Sequence, residues 1–351
     1  MRRLAINSAV AVSTVLIVLA LLEAGFRIFI AEEFSTPLAH VWDKDLGLRQ
    51  LAGAKGRLRA PDFVTEVAIN SKGLRDREYP YAKTPGTRRI LCLGDSFTFG
   101  YGVEADRTFA KALERALNAD AVEDGPWEVM NAGVTGTGTA HHLAYFSLEG
   151  RKYDPDFVLL SFCSKNDFSD NAKCGLYSLS DGRLVKHATR LGRVGKVRHA
   201  IESIPGSRSI MRRSRLLMFF GHRIASWIYS RREFAPEDPV AAEARRTEAY
   251  RLTESLIVAL RDSCRARDCE LVMAVVPEID GGDTREEAVR LVADVRAQGV
   301  TCMDLRPAFD ACVDPATEYF YAADHHWNAS GHFVVARTLY DFFVKTGAKV
   351  E

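Results

Sequence analysis

A surplus of charge of either sign is missing from this 351-residue chain: 47 lysines and arginines stand against 46 aspartates and glutamates, leaving a net charge of +1. Nucleic-acid binders carry a basic surplus, so the bulk composition argues against nucleic acid as a partner. Paired cysteines at zinc-ribbon spacing are also absent, because none of the seven cysteines forms a CxxC pair. The phosphate-cradling order GxxxxGKS/T does not occur despite the glycines of "GVTGTGT", and no HExxH helix accompanies the histidines. No internal repeats or low-complexity tracts are evident, and neither a cofactor nor a metal is expected. What is present is an ordinary globular composition, 47% hydrophobic and 26% charged, at a length that suits one large α/β unit with insertions.

The strongest compositional feature is N-terminal. From Leu4 to Leu22 no residue is charged, a run long enough to cross a bilayer core as a helix. Arg2 and Arg3 precede it, which places the N-terminus on the cytoplasmic side of an inner membrane and the remainder outside. A cleaved signal peptide, giving a secreted protein, is the competing reading; no clean A-x-A cleavage signal follows, and the run exceeds a usual signal core. In such an oxidising compartment Cys163 and Cys174, Cys264 and Cys269, and Cys302 and Cys312 could pair, with Cys92 left over. Connectivity does not follow from sequence, and several of these can equally be small buried apolar residues.

Along the chain, residues 31–85 read as an irregular extension in which "FVTEVAIN" alternates like a strand and "NSKGLRD" reads as a turn. A regular rhythm begins with a strand at Ile90–Leu93. A helix follows with Phe109, Ala112, Leu113, Ala116 and Leu117 on one face, then strands at "WEVMNAGV" and "DFVLLSF" separated by a helix through "TAHHLAYFSLEG". The rhythm resumes with a helix carrying Leu252, Leu256 and Leu260, the strand "LVMAVVP", a helix carrying Leu291, Val292 and Val295, and "GVTCMDL". A last helix holds Phe333, Val334, Leu339, Phe342 and Phe343. This alternation predicts a doubly wound, flavodoxin-like parallel sheet of about five strands with helices on both faces, over residues 86–351.

An insertion at about 180–240 interrupts it. Between Arg183 and Arg232 thirteen basic residues meet a single acid, Glu202, and "SRLLMFFGHRIASWIYSRR" mixes large apolar side chains with arginines. Such a segment suits an anionic lipid surface, an acidic substrate, or a solvated helical insertion packing its apolar stripe on the domain.

In a doubly wound sheet ligands gather beyond the carboxyl ends of the strands, and Ser96 stands just past the first. Serine becomes a nucleophile when a histidine takes its proton and a carboxylate holds the imidazole. The late stretch "AADHHWNASGH" supplies Asp324 and His326 in a loop after the last strand, ahead of a helix capped by Asn328. Donors for an oxyanion are available from Gly136, in the turn after the second strand, and from the Asn166 amide after the third. Taken singly each residue has a bland reading, Gly136 as a turn glycine and Asn166 as a helix cap. His325 lacks the Trp-Asn context that follows His326 and is read as facing solvent, while His141, His142 and His332 are read as ordinary helix residues.

Together these blocks resemble the SGNH, or GDSL, hydrolases. Gly94-Asp95-Ser96 matches the first block, "NAGVTG" the second with Gly136, Asn166-Asp167 the third, and His326-Trp327-Asn328 the last. The family's usual last block, Asp-x-x-His, needs an acid at position 323, where this chain has Ala323. The D-x-H-W arrangement of alginate-type O-acetyltransferase relatives is the better match. The third block departs as well, since Ser164 and Lys165 precede Asn166 where the family begins with glycine. By resemblance Ser96 is the nucleophile, His326 the base, Asp324 its orienting acid, and Ser96 N–H, Gly136 and Asn166 the oxyanion hole. The expectation is a membrane-anchored esterase acting on acyl esters of an envelope carbohydrate or lipid. An O-acetyltransferase of the same chemistry and a non-catalytic scaffold are the alternatives.

Overall fold

The computed structural model describes residues 2–29, 40–120, 125–189, 239–277 and 284–345, with 204, 206, 207, 214, 216, 217, 220 and 279. Most of the basic insertion therefore lies outside the described residues. The chain divides into two compact units. The larger comprises Leu38–Leu58, Asp62–Arg190 and Asp238–Glu351, the smaller Met1–Pro37, Arg59–Pro61 and Leu191–Glu237.

The smaller unit contains helix α1 (Arg2–Phe29), whose stretch Val10–Ile28 is long and apolar enough to cross a membrane. Its apolar side chains, Ile17 and Leu21 among them, are exposed within the unit. Near its end Glu23 pairs with Arg27 at 2.8 Å and accepts from Ser214 Oγ at 2.8 Å and Leu216 N at 3.1 Å.

The larger unit is built on five parallel strands: β5 (Arg88–Leu93), β6 (Trp127–Asn131), β7 (Phe157–Phe162), β10 (Glu270–Val275) and β11 (Thr301–Asp304). Their order across the sheet, β11-β10-β7-β5-β6, is the flavodoxin-like one that the alternating pattern predicts. All six residues of β7 are buried, as a central parallel strand covered on both faces must be. Successive residues feed opposite layers. Leu91, Leu93, Met130, Val158, Leu160 and Met273 pack under α4 (Thr139–Leu148) and α6 (Pro239–Arg265). Ile90, Cys92, Val129, Leu159 and Val272 pack against α3 (Phe109–Asp120) and α10 (Ala329–Lys345).

The extension ahead of the sheet is more regular than its sequence suggests. It forms β1 (His40–Asp43) paired antiparallel with β2 (Gly47–Gln50), and β3 (Lys55–Ala60) paired with β4 (Phe63–Ala68). A further hairpin, β8 (Tyr177–Ser180) with β9 (Arg183–Lys186), follows helix α5 (Asp167–Cys174). The last connection also differs from expectation. Two short helices, α8 (Arg306–Asp310) and α9 (Pro315–Tyr319), follow β11 where a plain loop was expected; α7 (Thr284–Ala297) is the helix before β11. On α10 the buried face is His332, Val335, Ala336, Leu339 and Phe343, and Phe333, expected on the apolar face, is 62% exposed. The seven cysteines are free thiols, with Cys92, Cys163, Cys264 and Cys269 buried.

Candidate active site

β5 runs into a sharp turn at Gly94-Asp95 and then into a single helical turn, α2 (Ser96–Phe99), so Ser96 sits at a helix start on the carboxyl edge of the sheet. Asp95 makes that start. Its buried carboxylate accepts from Phe97 N at 2.9 Å and from Asn166 Nδ2 at 3.1 Å. Burial pushes the Asp95 carboxyl upward, opposed by these two hydrogen bonds and by His326 nearby. The far end of α2 is held by Arg75, whose buried guanidinium donates to Phe99 O at 3.0 Å, Gly100 O at 2.6 Å and Val103 O at 2.7 Å. Desolvation lowers the Arg75 pKa to about 10.

The block after β6 presses on the same turn. A Cβ on Gly133 would stand 2.2 Å from Phe99 N and 2.6 Å from Thr98 C, so a residue with a side chain does not fit there. Gly136 follows in the left-handed region at φ 74°, with its nearest neighbour, Leu48, 4.0 Å from where a Cβ would sit; its need for glycine is conformational rather than steric. Asn166 lies at the N-terminus of α5 and gives its amide to Asp95 and to Asp170 Oδ2 at 3.3 Å. Lys165 beside it is exposed.

The partner loop arrives from the other end of the sequence. An antiparallel bridge between Phe320 and Trp327 closes it into a hairpin-like turn, with Tyr321 N donating to His326 O at 2.9 Å. Trp327 anchors the turn: it is buried, its indole N–H donates to Pro277 O at 3.3 Å, and it packs on Phe97, Phe309 and His332. Asn328 Oδ1 accepts from Ser330 N at 2.8 Å and Gly331 N at 3.2 Å, the cap expected for α10.

Within this frame His326 Nε2 lies 2.7 Å from Ser96 Oγ, and its Nδ1 is hydrogen-bonded to Asp324 Oδ1. The imidazole packs against Phe97, 4.9 Å between ring centres, and Tyr101, 4.8 Å away. Burial and the Asp324 charge raise the Tyr101 phenol. His325 is exposed and left-handed at φ 66°. The remaining helix histidines are buried and neutral: desolvation pushes His141 down to about 4 and His142 and His332 to about 3. His332 Nδ1 accepts from Phe109 N at 3.2 Å, a packing role.

Ser96, His326 and Asp324 are thus brought into hydrogen-bonding sequence from positions 230 residues apart, and Asn166 joins them through Asp95. Sequence reasoning did not single out Arg75, Asp95 as a buried hub, or Asp62. Charged residues in turns read as surface, and their partners lie far along the chain.

A hydroxyl, an imidazole and a carboxylate in line at the carboxyl edge of a doubly wound sheet is the arrangement of serine-dependent acyl hydrolases. A family model described as GDSL-like lipase/acylhydrolase matches residues 92–333, and the chain belongs to that hydrolase family. Solved structures with a similar fold include a lipase/acylhydrolase from Enterococcus faecalis, 15% identical, covering 75% of this chain and 98% of its own, with a TM-score of 0.43. An acetylxylan esterase from Geobacillus stearothermophilus is 12% identical, covering 75% and 95%, with a TM-score of 0.42. A two-domain esterase active on acetylated mannans is 15% identical, covering 76% of this chain and 51% of its own, with a TM-score of 0.42. Comparison with curated proteins finds no match.

Proposed function

We propose that the protein is a serine esterase tethered to the inner membrane by residues 1–30, with its catalytic domain, residues 86–351, outside the cytoplasm. Its substrates are acyl esters, acetyl above all, of an envelope carbohydrate or lipid. The observation that carries the chemistry is the 2.7 Å contact between Ser96 Oγ and His326 Nε2, backed by Asp324 on Nδ1. Family membership supports the acyl-ester class. The apolar stretch Val10–Ile28, with Arg2 and Arg3 ahead of it, supports the tether and its orientation.

In the first step Ser96 Oγ bonds to the ester carbonyl carbon while its proton passes to His326 Nε2. Asp324 stabilises the imidazolium and keeps Nδ1 protonated. The carbonyl oxygen becomes an oxyanion, received by the N–H groups of Ser96 and Gly136 and by the Asn166 amide. The Asn166 amide also donates to Asp95 and Asp170, and serving the oxyanion requires one of its two hydrogens to point at the carbonyl oxygen. The intermediate collapses as His326 returns the proton to the departing alcohol oxygen, leaving acyl-Ser96. Water, deprotonated by the same nitrogen, then releases the acid and restores Ser96.

The test is labelling of the purified full-length protein in detergent by a fluorophosphonate, together with hydrolysis of short aryl esters. Both should disappear in Ser96→Ala. A folded wild type that neither labels nor hydrolyses would dismiss the reading. A reporter fused at the C-terminus checks the orientation, and activity only in the cytoplasm would reject it. A second reading, O-acetyl transfer to a sugar hydroxyl, is favoured by Asp324 rather than residue 323 serving His326 and by the buried Trp327 of the D-x-H-W block. Incubation with acyl donor and glycan separates the two: acylated sugar forming faster than free acid supports transfer, and free acid alone supports hydrolysis.

A further inference from the structure

Asp62 occupies the turn between β3 and β4, ahead of the segment that the family model matches. Its Oδ2 accepts the backbone N–H of Ala323 at 2.7 Å and that of Asp324 at 3.2 Å. Asp324 is the residue whose carboxylate meets His326 Nδ1, so Asp62 grips the backbone from which that side chain departs. Among the described residues these two amides have no other side-chain partner. Backbone bonds from Tyr321 N to His326 O at 2.9 Å and from His325 N to Tyr321 O at 3.0 Å close the turn around this point, while Ala322, Ala323 and His325 are exposed and His325 is left-handed. The neighbouring position is held by the same hairpin: Tyr321 packs on Phe63 of β4 at 4.8 Å and donates its hydroxyl to Gly102 O at 2.8 Å. Gly102 is itself constrained, because a Cβ there would come 2.5 Å from the Tyr321 ring.

From this geometry we infer that Asp62 is a positioning residue for Asp324 and His326, acting through the loop backbone; the inference rests on the acyl-transfer reading of the site. One carboxylate oxygen taking two amides makes a pair of charge-assisted hydrogen bonds, stronger than neutral ones and fixed in direction. Without them the Ala323–Asp324 peptide is held only through the flanking backbone bonds of the turn, and Asp324 loses its alignment on the imidazole. Displacements of about 1 Å at such a distance cost on the order of 100-fold in rate. Asp62 is exposed, so its removal leaves the core packing intact.

The experiment is steady-state hydrolysis of a short aryl ester by the full-length protein, its Ser96→Ala control, Asp62→Ala and Asp62→Asn, each with a thermal midpoint. Asp62→Ala should lower kcat about 10- to 100-fold with KM changed less than about threefold, because only alignment in the reacting complex is lost. Its thermal midpoint should match the wild type. Asp62→Asn keeps an oxygen acceptor for both amides and should recover kcat to within roughly threefold of wild type. Wild-type kcat in Asp62→Ala, an Asn variant as impaired as the Ala variant, or a kcat loss that follows a collapsed thermal midpoint would each overturn the positioning role. A wild type without activity, or activity that survives Ser96→Ala, overturns the reading of the site and this inference with it.

Discussion

Ser96 stands on buried ground, whereas Asp324 and His326 stand on a surface loop. The serine turn is fixed by strand β5 beneath it, by the Asp95 cap, by Arg75 on its last carbonyls and by Gly133 pressed against its backbone. The loop is fixed by the buried, bridged pair Phe320 and Trp327, by its own backbone bonds between Tyr321, His325 and His326, and by hydrogen bonds to Asp62 and Gly102. The Ser96 hydroxyl is therefore in place once the sheet folds. The imidazole depends in addition on the surface contacts that Asp62 and Gly102 make with its loop.

The comparison breaks most completely by removing either member of the 2.7 Å contact. Ser96→Ala and His326→Ala should each lower aryl-ester turnover by at least roughly 10³-fold, with urea midpoints near wild type. Trp327→Ala should destabilise the fold by about 3–5 kcal/mol in equilibrium unfolding, since it empties a buried aromatic site shared by Phe97, Phe309 and His332. Gly133→Ala probes the serine side: the new Cβ meets backbone at 2.2 Å, and about 1–3 kcal/mol of stability should be lost along with turnover.

Stability should also depend on pH through the buried histidines. Their folded pKa values, about 4 for His141 and about 3 for His142 and His332, lie below the unfolded value of 6.5. The unfolded chain thus binds more protons between those limits. Their contribution is complete above 6.5 and is lost as pH falls from there toward 3–4, by about 1.4 kcal/mol per pH unit for each histidine. Asp95 and Asp170, raised by burial, contribute with the reverse sign, losing stability as pH rises through their folded values. Urea midpoints measured from pH 7 down to 5 should fall, and His332→Gln should flatten the slope. The smallest effect is expected at His325, exposed and left-handed. His325→Gly should change stability by less than about 1 kcal/mol and leave turnover within roughly twofold.

The sheet was legible because parallel strands buried on both faces must be continuous apolar runs, as Phe157–Phe162 is. The four blocks were legible because each places a chemically distinctive residue just past a strand or ahead of a helix. The charged supports were not. Arg75, in a stretch that reads as a turn, is buried and donates to carbonyls as far away as Val103. Arg89, inside an apolar strand, is buried too and meets Glu128 and Tyr153 O. Nothing local marks such a residue, since its partners are set by the crossing of elements distant in the chain. Phe333 errs the other way: the helical pattern admits it to the apolar stripe, but α10 turns His332 inward in its place.

Hydrophobic periodicity and turn chemistry act over a few residues, so the chain alone determined its alternating strands and helices, its apolar N-terminal run and the positions of serine, glycine, asparagine and histidine. The meeting of Ser96 with His326 was decided by the folded sheet, which brings the ends of distant segments to one edge. So was the grip of Asp62 on the loop that carries Asp324. Hydrogen bonds depend on ångström-scale placement across hundreds of residues, and no local pattern encodes that distance.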